Sequence, residues 1–592
     1  MQEESHAEPK AFFTGGEARL TQDYLRWREE VRWWRTVACA VWVFAVSVVA
    51  LQCFQLSPFF FAVTEGSLLR SIFRRLALSL IFGLGVTLHC LAFRGIVHVK
   101  RTVEPVAWRW LKAVSQQPLH LFFVACNALS GLICTWAFLR VIHSSHLSSS
   151  LLNPDSCVRA AFLSGGADLG GPTAAQCLDT NYLFVLGCGL FLGVWNAIAT
   201  LRQEQHLLSF PSLQRGRVFQ LKSRVGGALQ HSLKQAIWAL PSFYLLHFFF
   251  EVLQEGSASV LDNSTAADHL NLSLMVQLFF AATLLSLCWR LSCNVVEIIL
   301  TQWLCFDPLR SALATNAPPG KSEHRLGQGL LDQTDPLMRH LAFLDLSMLA
   351  SHSTRRRANI FEDDTARTWQ AIMHICCSHI DAFSLEVMQV IQTVKALREE
   401  ENIAKRKGEA ASSVISSIKA GPGLFKSLRQ RLFQLNDQQR TQQLFAEYNL
   451  LLWSIKALSQ MVCKSRAEDR YGVVQTSEGV LISLQSLVAC LLAVEEYVEQ
   501  PCDVPFSSSS PLEGHRLVRP QPHAVITGIP PPSSSLSLSL SCSPLFQLQL
   551  TQNAATQDAI YGIVTAFYEH LASLKLPPRY SQKLQHFVEF EE

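Results

Sequence analysis

Few residues in this chain of 592 have the types and spacing that chemistry requires. The adjacent thiols Cys376 and Cys377 lie between His374 and His379 and form a local group of soft and imidazole donors. Adjacent side chains on a helix point in different directions, so these four do not converge on a tetrahedral ion, and a buried helix face is the simpler reading. Gly421-Pro-Gly-Leu-Phe-Lys-Ser427 ends like a phosphate loop. Such a loop needs Gly directly before Lys-Ser/Thr, and Phe425 occupies that place, which excludes nucleotide binding by this motif. HExxH and GxSxG are absent. The acidic pair Glu495-Glu496 falls in a helical stretch, where solvation accounts for it. No catalytic residue, cofactor or metal site is expected, and the chain does not read as an enzyme.

The remaining chemistry is structural. None of the 17 cysteines forms a CxxC pair. Many, such as Cys39, Cys90 and Cys188, lie inside apolar runs, where a thiol behaves as a small apolar group. Cys157 and Cys177 share a long polar segment and are the candidates for a disulfide if that segment faces an oxidising lumen; two free thiols are the alternative. Asn263-Ser-Thr is a glycosylation sequon, but it lies close to the flanking apolar runs, which disfavours occupancy. Gly189-Leu-Phe-Leu-Gly193 is a GxxxG, which lets two helix backbones approach closely. Packing within a bundle and packing between copies both fit it, the first better.

Six apolar runs position these residues: Thr36–Gln55, Leu76–Phe93, Leu119–Leu139, Asn181–Leu201, Ala236–Phe250 and Leu270–Trp289. None contains Asp, Glu, Lys or Arg. A bilayer-spanning helix needs about 17–25 predominantly apolar residues. The fifth run is short, bounded by Lys234 and Glu251, and spans only if those side chains snorkel. Basic residues concentrate in the leader (ending in Arg26, Arg28, Arg32, Arg35), after the second run (Arg94, Lys100, Arg101, Arg109, Lys112) and after the fourth (Arg202, Arg215, Arg217, Lys222, Arg224, Lys234). Positive loops stay cytosolic, so both termini are expected there and the span count is even. The first run is too long, and its leader too long, for a cleaved signal peptide; it reads as a signal anchor with Trp33 and Trp34 at headgroup level.

The second half is polar and helical. Leu337, Leu341, Leu344 and Met348 recur at helical spacing, Trp369–Leu397 reads as a further helix, and residues 438–500 are helical apart from Lys464–Tyr471. Residues 424–435 combine an apolar face with Lys426, Arg429 and Arg431, a pattern that fits a core helix or, less commonly, a membrane-surface helix. A final helix over Asp558–Leu574 is expected to dock by Ile560, Val564, Phe567, Leu571 and Leu574.

The expected fold is all-α, a polytopic membrane bundle followed by a helical cytosolic domain. Its parts are a cytosolic leader (1–35), a six-span domain with an interfacial segment (36–304), a helical domain (305–500), a Pro/Ser-rich insert expected to be disordered (501–550) and a docking C-terminal segment (551–592). A net charge of +3 does not point to direct nucleic-acid binding. Transporters usually place ionisable groups within spans. Here the spans offer His89, His120 and His247 with neutral groups such as Asn127 and Asn196. A transporter or channel of the nuclear envelope or endoplasmic reticulum is the alternative to a membrane anchor.

Several ordered stretches carry a resemblance: Gly171-Pro-Thr-Ala-Ala-Gln-Cys-Leu178, Leu270-Asn-Leu-Ser-Leu274, Leu341-Ala-Phe-Leu-Asp-Leu346 followed by Arg355-Arg-Arg357, and most specifically Glu468-Asp-Arg-Tyr-Gly-Val-Val-Gln-Thr476. Ala559-Ile-Tyr561, Glu569-His-Leu571 and Lys583-Leu-Gln-His-Phe-Val-Glu-Phe-Glu591 complete the series. Together these stretches resemble the six-span transmembrane nucleoporin of the nuclear division cycle family. The resemblance implies a structural membrane anchor of the nuclear pore complex, located in the pore membrane of the nuclear envelope. Its partners would be membrane lipid, scaffold nucleoporins and linker nucleoporins, including the WD-repeat nucleoporin ALADIN. Vertebrate relatives carry a long Ser/Pro-rich linker in the cytosolic half, where this chain has only about residues 399–423. Phe-Gly repeats of a transport barrier are absent, Phe82-Gly83 being an isolated pair. The segment Glu468, Asp469, Arg470 and Tyr471 is either a partner-contact loop or a structural turn.

Overall fold

The computed structural model describes residues 17–55, 68–99, 117–143, 157–158, 178–211, 214–255, 272–306, 323–362, 366–411, 443–499, 544–571 and 576–589. Asn263, Cys177, the 421–427 and 424–435 stretches and most of the Pro/Ser-rich insert lie outside them. Two compact units result: residues 1–345 with 423–436, and residues 346–422 with 437–592.

The first unit is a helical bundle of α1 (Glu17–Gln55), α2 (Leu68–Ile96), α3 (Gln117–His143), α4 (Thr180–Arg202), α5 (Arg217–Glu255) and α6 (Leu272–Thr301). A two-residue antiparallel ladder, β1 (Cys157–Val158) with β2 (Leu178–Asp179), lies between α3 and α4 and sets Cys157 opposite Asp179. Each apolar run lies in a helix, apart from Leu270 and Asn271 outside the described residues, and every helix extends further than its run, α1, α5 and α6 most of all. The described part of the leader continues into the first run as one helix. α6 does not end at Arg290 but continues about three turns to Thr301. The fifth run is the second half of the 39-residue α5, which passes through Pro241 without stopping.

α6 is the centre of the bundle. It packs against α1, α2, α3, α4 and α5, and Leu278, Leu285, Trp289, Val296 and Leu300 along it are buried. A helix that is apolar on nearly all faces suits such a central position in a membrane bundle. The outer faces are apolar too, with Trp238, Leu245, Phe248 and Leu121 exposed. In lipid that surface is solvated rather than unsatisfied.

Hydrogen bonds fix which helix ends lie together. His98 just after α2 exchanges backbone bonds with His206 and Leu208 just after α4. Arg35 of α1 donates to the Leu300 and Gln302 carbonyls (2.7 and 2.9 Å) at the end of α6. Arg224 near the start of α5 pairs with Glu297 of α6 at 2.6 Å. The start of the first run and of α5 therefore share one end of the bundle with the finish of α2, α4 and α6.

Seven helices among the described residues are long and apolar enough to cross a membrane: Gln22–Gln55, Ile72–Ile96, Pro118–Val141, Leu183–Arg202, Leu274–Thr301, Arg367–Thr393 and Gly479–Tyr497. The chain is an all-α polytopic membrane protein. α5 falls short of that set because Lys234, Gln235 and His247 dilute its apolar half. Yet it runs beside α6 and brings Phe243 and His247 against Phe184 at the start of α4.

Two short helices close the arginine-bearing end, α7 (Glu323–Leu331) and α8 (Pro336–His352), the latter running across the boundary between the units. The second unit comprises α9 (Thr354–Phe361), α10 (Arg367–Ala411), α11 (Tyr448–Glu468), α12 (Val473–Thr476), α13 (Gly479–Glu499), α14 (Pro544–Leu571) and α15 (Pro578–Glu589). α10 packs on α13, and α11 packs on α14. The last two spanning candidates, in α10 and α13, thus face each other in the core of this unit, where Trp369, Cys376, Ile380, Leu487 and Leu491 are buried. α14 begins inside the Pro/Ser-rich tract, earlier than Asp558, and docks by Ile560, Ile563, Val564 and Phe567.

Candidate functional site

Three places in the structure concentrate polar side chains or close contacts. The first lies within the bundle. Gly189 and Gly193 of α4 face α3, where a methyl group on Gly193 would run into the Asn127 carbonyl and one on Gly189 into the Thr135 side chain. Gly131 of α3 meets Gly189 from the other side. The backbone approach that GxxxG permits is used here between consecutive helices of one chain. Beside this seam runs a chain of hydrogen bonds. His89 Nδ1 donates to Asn127 Oδ1 at 2.7 Å in the tautomer that satisfies both. Asn196 donates to the same oxygen at 3.2 Å, and Gln235 donates to Asn196 at 3.3 Å. Cys293 of α6 lies 3.7 Å from the other His89 nitrogen. Five helices are joined by neutral groups that satisfy one another, the arrangement that polar residues in a membrane interior need. His89 therefore takes part in packing, and Trp289 likewise donates to Ser130 at 3.1 Å.

The second place is the arginine-bearing end. Asp332, between α7 and α8, accepts from Tyr24 (3.0 Å) and Arg28 (2.9 Å) of α1 and from Thr334. Burial raises its pKa, but the hydrogen bonds from Thr334, Arg28 and Tyr24 outweigh burial and hold it below the ordinary value. Asp335 caps α8 through Leu337 N at 3.1 Å. Asp345, fully buried, accepts from Trp303 Nε1 (2.9 Å) and Phe306 N (3.1 Å). These three carboxylates bind residues 323–345 to the bundle, which is why the first unit extends past residue 304.

The third place is the corner between α11 and α13 in the second unit. Arg357 of α9 reaches Glu468 with two parallel bonds, Nε at 2.8 Å and Nη2 at 2.7 Å. Its other donors go to the Leu349 and Ala350 carbonyls and to Thr354. The guanidinium is 4% exposed, so this bidentate pair fixes three helix ends to one another. Asp469 accepts from Tyr471 N at 3.2 Å and Val474 N at 2.9 Å, folding the chain back into α12. Gly472 takes φ +66°, which a side chain resists. Val473 and Val474 are buried, and Trp369 Nε1 donates to Ser477 at 3.1 Å. Arg470 and Tyr471 remain at the tip, the Tyr471 ring 62% exposed. The segment is thus a built turn that presents two side chains. Sequence reasoning missed Arg357 as its anchor, although Arg355-Arg-Arg357 supplied a signal: three arginines on a short helix that also carries buried Ile360 and Phe361.

Among the described residues no cluster of His, Cys, Asp and Glu is arranged to hold a metal ion. Cys376 and Cys377 are buried in the α10 face toward α13. Cys157 lies on β1, and its partner candidate Cys177 lies outside the described residues, as does Asn263.

The model of the family described as nucleoporin protein Ndc1-Nup matches residues 30–430 and 422–585. The chain is similar to the nucleoporin NDC1 of Xenopus laevis, 22% identical over 547 residues that cover 71% of this chain and 78% of that one. It is similar to nucleoporin NDC1 of Homo sapiens at 20% over 609 residues (81% and 83%) and of Danio rerio at 21% over 616 residues (79% and 86%). The matches cover both units, the glycine seam and the Arg357–Glu468 corner included. The chain belongs to the Ndc1-Nup family and is a nucleoporin of the nuclear pore membrane.

Proposed function

We propose that the chain anchors scaffold and linker nucleoporins, ALADIN among them by family resemblance, to the pore membrane and supports pore assembly. One observation carries this reading: a bundle with an apolar outer face and a separately packed helical unit are joined in a single chain. The bundle inserts, with six crossings and both termini on the cytosolic side. The second unit offers the protein-binding surface, with Arg470 and Tyr471 at its exposed corner. The role is structural rather than enzymatic.

The transporter reading has one observation in its favour, the buried polar chain from His89 to Gln235. Its members are neutral and already bonded to one another, so the anchor reading is preferred.

Substituting Arg470→Ala together with Tyr471→Ala in the full chain tests the contact. The double variant is expected to insert and unfold like the parent but to co-purify about threefold less scaffold nucleoporin, a loss of about 0.65 kcal/mol. Asp469→Ala serves as the stability control, costing about 1 kcal/mol through the lost turn cap. Undiminished nucleoporin recovery in the double variant would remove the corner from the interface. Truncation after His352 that left pore recruitment intact would remove the second unit altogether.

A further inference from the structure

The arginine-bearing end of the bundle holds more positive charge than its carboxylates neutralise. Arg35 and Arg217 converge on Gln302, the first on its backbone carbonyl at 2.9 Å and the second on its side-chain oxygen. Both guanidiniums therefore sit at the carboxyl end of α6, where exposed carbonyls attract cations. Arg94, in the last turn of α2, lies within electrostatic range of Arg35 and Arg32. Its Nε is shielded from solvent and has no hydrogen-bond partner among the described residues.

Among the described residues the opposing charges are few. Asp332 is committed to Arg28. Asp335 is within range of Arg94 but also lies 3.8 Å from Arg32 and caps α8. Glu297 is engaged by Arg224. Arg32 also pairs with Glu29 at 3.3 Å. Among the described residues, Asp335 thus faces Arg94, while Arg35 and Arg217 are held by uncharged oxygens. A partly buried cation without a fixed partner is costly, and an anion that reaches it relieves that cost.

This end of the bundle lies where the apolar runs stop, at headgroup depth. Phosphate matches a guanidinium fork in charge and geometry. We propose that Arg94, with Arg35 and Arg217 beside it, forms a binding site for the phosphate of an anionic phospholipid headgroup. Arg35 lies where the apolar run of α1 begins, Arg94 in the last turn of α2 and Arg217 at the start of α5, so the lipid would tie these helices and α6 at their membrane boundary. The site belongs to the bundle and does not depend on the nucleoporin-binding role of the second unit.

The test uses the full chain in nanodiscs of phosphatidylcholine, titrated with short-chain phosphatidylserine and read by thermal unfolding and by native mass spectrometry of retained lipid. Phosphatidylserine is expected to raise the midpoint of the parent chain more than added phosphatidylcholine does. Arg94→Gln is expected to weaken that response about fivefold, and Arg94→Lys to restore part of it. Asp335→Asn removes the competing carboxylate while keeping a capping amide, and should strengthen the response. Arg217→Gln, at an exposed position, keeps the test decisive should Arg94→Gln fail to fold, and is expected to weaken the response as well. Equal phosphatidylserine affinity in the parent, Arg94→Gln and Arg217→Gln would overturn the proposal. So would saturation of the same response by inorganic phosphate alone, which would mark a soluble phosphate as the ligand instead of lipid.

Discussion

Asp332 shows how one carboxylate holds separate elements together. Tyr24 and Arg28 approach it from α1, and Thr334 from its own turn. Its pKa is held below the ordinary 3.8, so the ionised form is favoured by folding. The stability it contributes is complete above the unfolded value and is lost as pH falls through the lower folded value. Acidifying the parent chain from pH 5 to about pH 3 is expected to lower its unfolding midpoint more than that of Asp332→Asn, which has no charge to lose. Parallel pH profiles for the two chains would show that the contact contributes nothing. Arg357 works in a similar way at a smaller sequence distance, joining residues 111 positions apart where Asp332 joins residues 304 and 308 apart. Neither partnership was visible in the sequence, because long-range ion pairs leave no periodic trace.

At the scale of elements, the apolar runs located every helix of the bundle, since lipid requires a spanning backbone to satisfy itself within a helix. Helix ends were less legible. The sixth run stops at Trp289, but α6 continues with Asn294, Val295, Val296 and Ile298 buried against its neighbours. Likewise Lys234 and Glu251 bound a short fifth run, while packing along α6 sustains all of α5. Apolar length alone also marks Arg367–Thr393 and Gly479–Tyr497 as spanning candidates; their partners, not their composition, set them in the core of the second unit. The glycine seam yields a prediction at this scale. Gly193→Leu should push α3 and α4 apart and cost about 1–3 kcal/mol, read as a lower unfolding midpoint in detergent, whereas Gly187→Leu, where a Cβ meets nothing, should be tolerated. Equal midpoints would show that the seam has slack. The ladder between α3 and α4 yields another. β1 sets Cys157 opposite Asp179, two residues beyond Cys177, and we expect a Cys157–Cys177 disulfide. Differential alkylation and intact-mass measurement of unreduced protein should find two fewer free thiols than the fully reduced chain; a full complement would leave the pair as thiols.

For the whole molecule, the hydrogen bonds from Arg35 and Arg217 to the end of α6 make the bundle's two ends chemically different, one ringed by arginine. If that ring is cytosolic, tags at both termini should be digested by protease added to sealed microsomes. Protection of the C-terminal tag with exposure of the N-terminal one would mean an odd number of crossings, with α5 the helix to reconsider.

The central position of α6 has a consequence for biosynthesis. The ribosome delivers helices in chain order, at about 5–20 residues per second, so the member that contacts all the others emerges last. Until Leu272 and the residues after it enter the bilayer, the faces of α1 to α5 that pack on α6 lack their partner, the Cys293 side of His89 among them. A nascent chain stalled or truncated before that point presents an unfinished surface to the membrane's quality-control machinery. Substitutions that slow α6 insertion should therefore lower abundance well before they alter any finished contact.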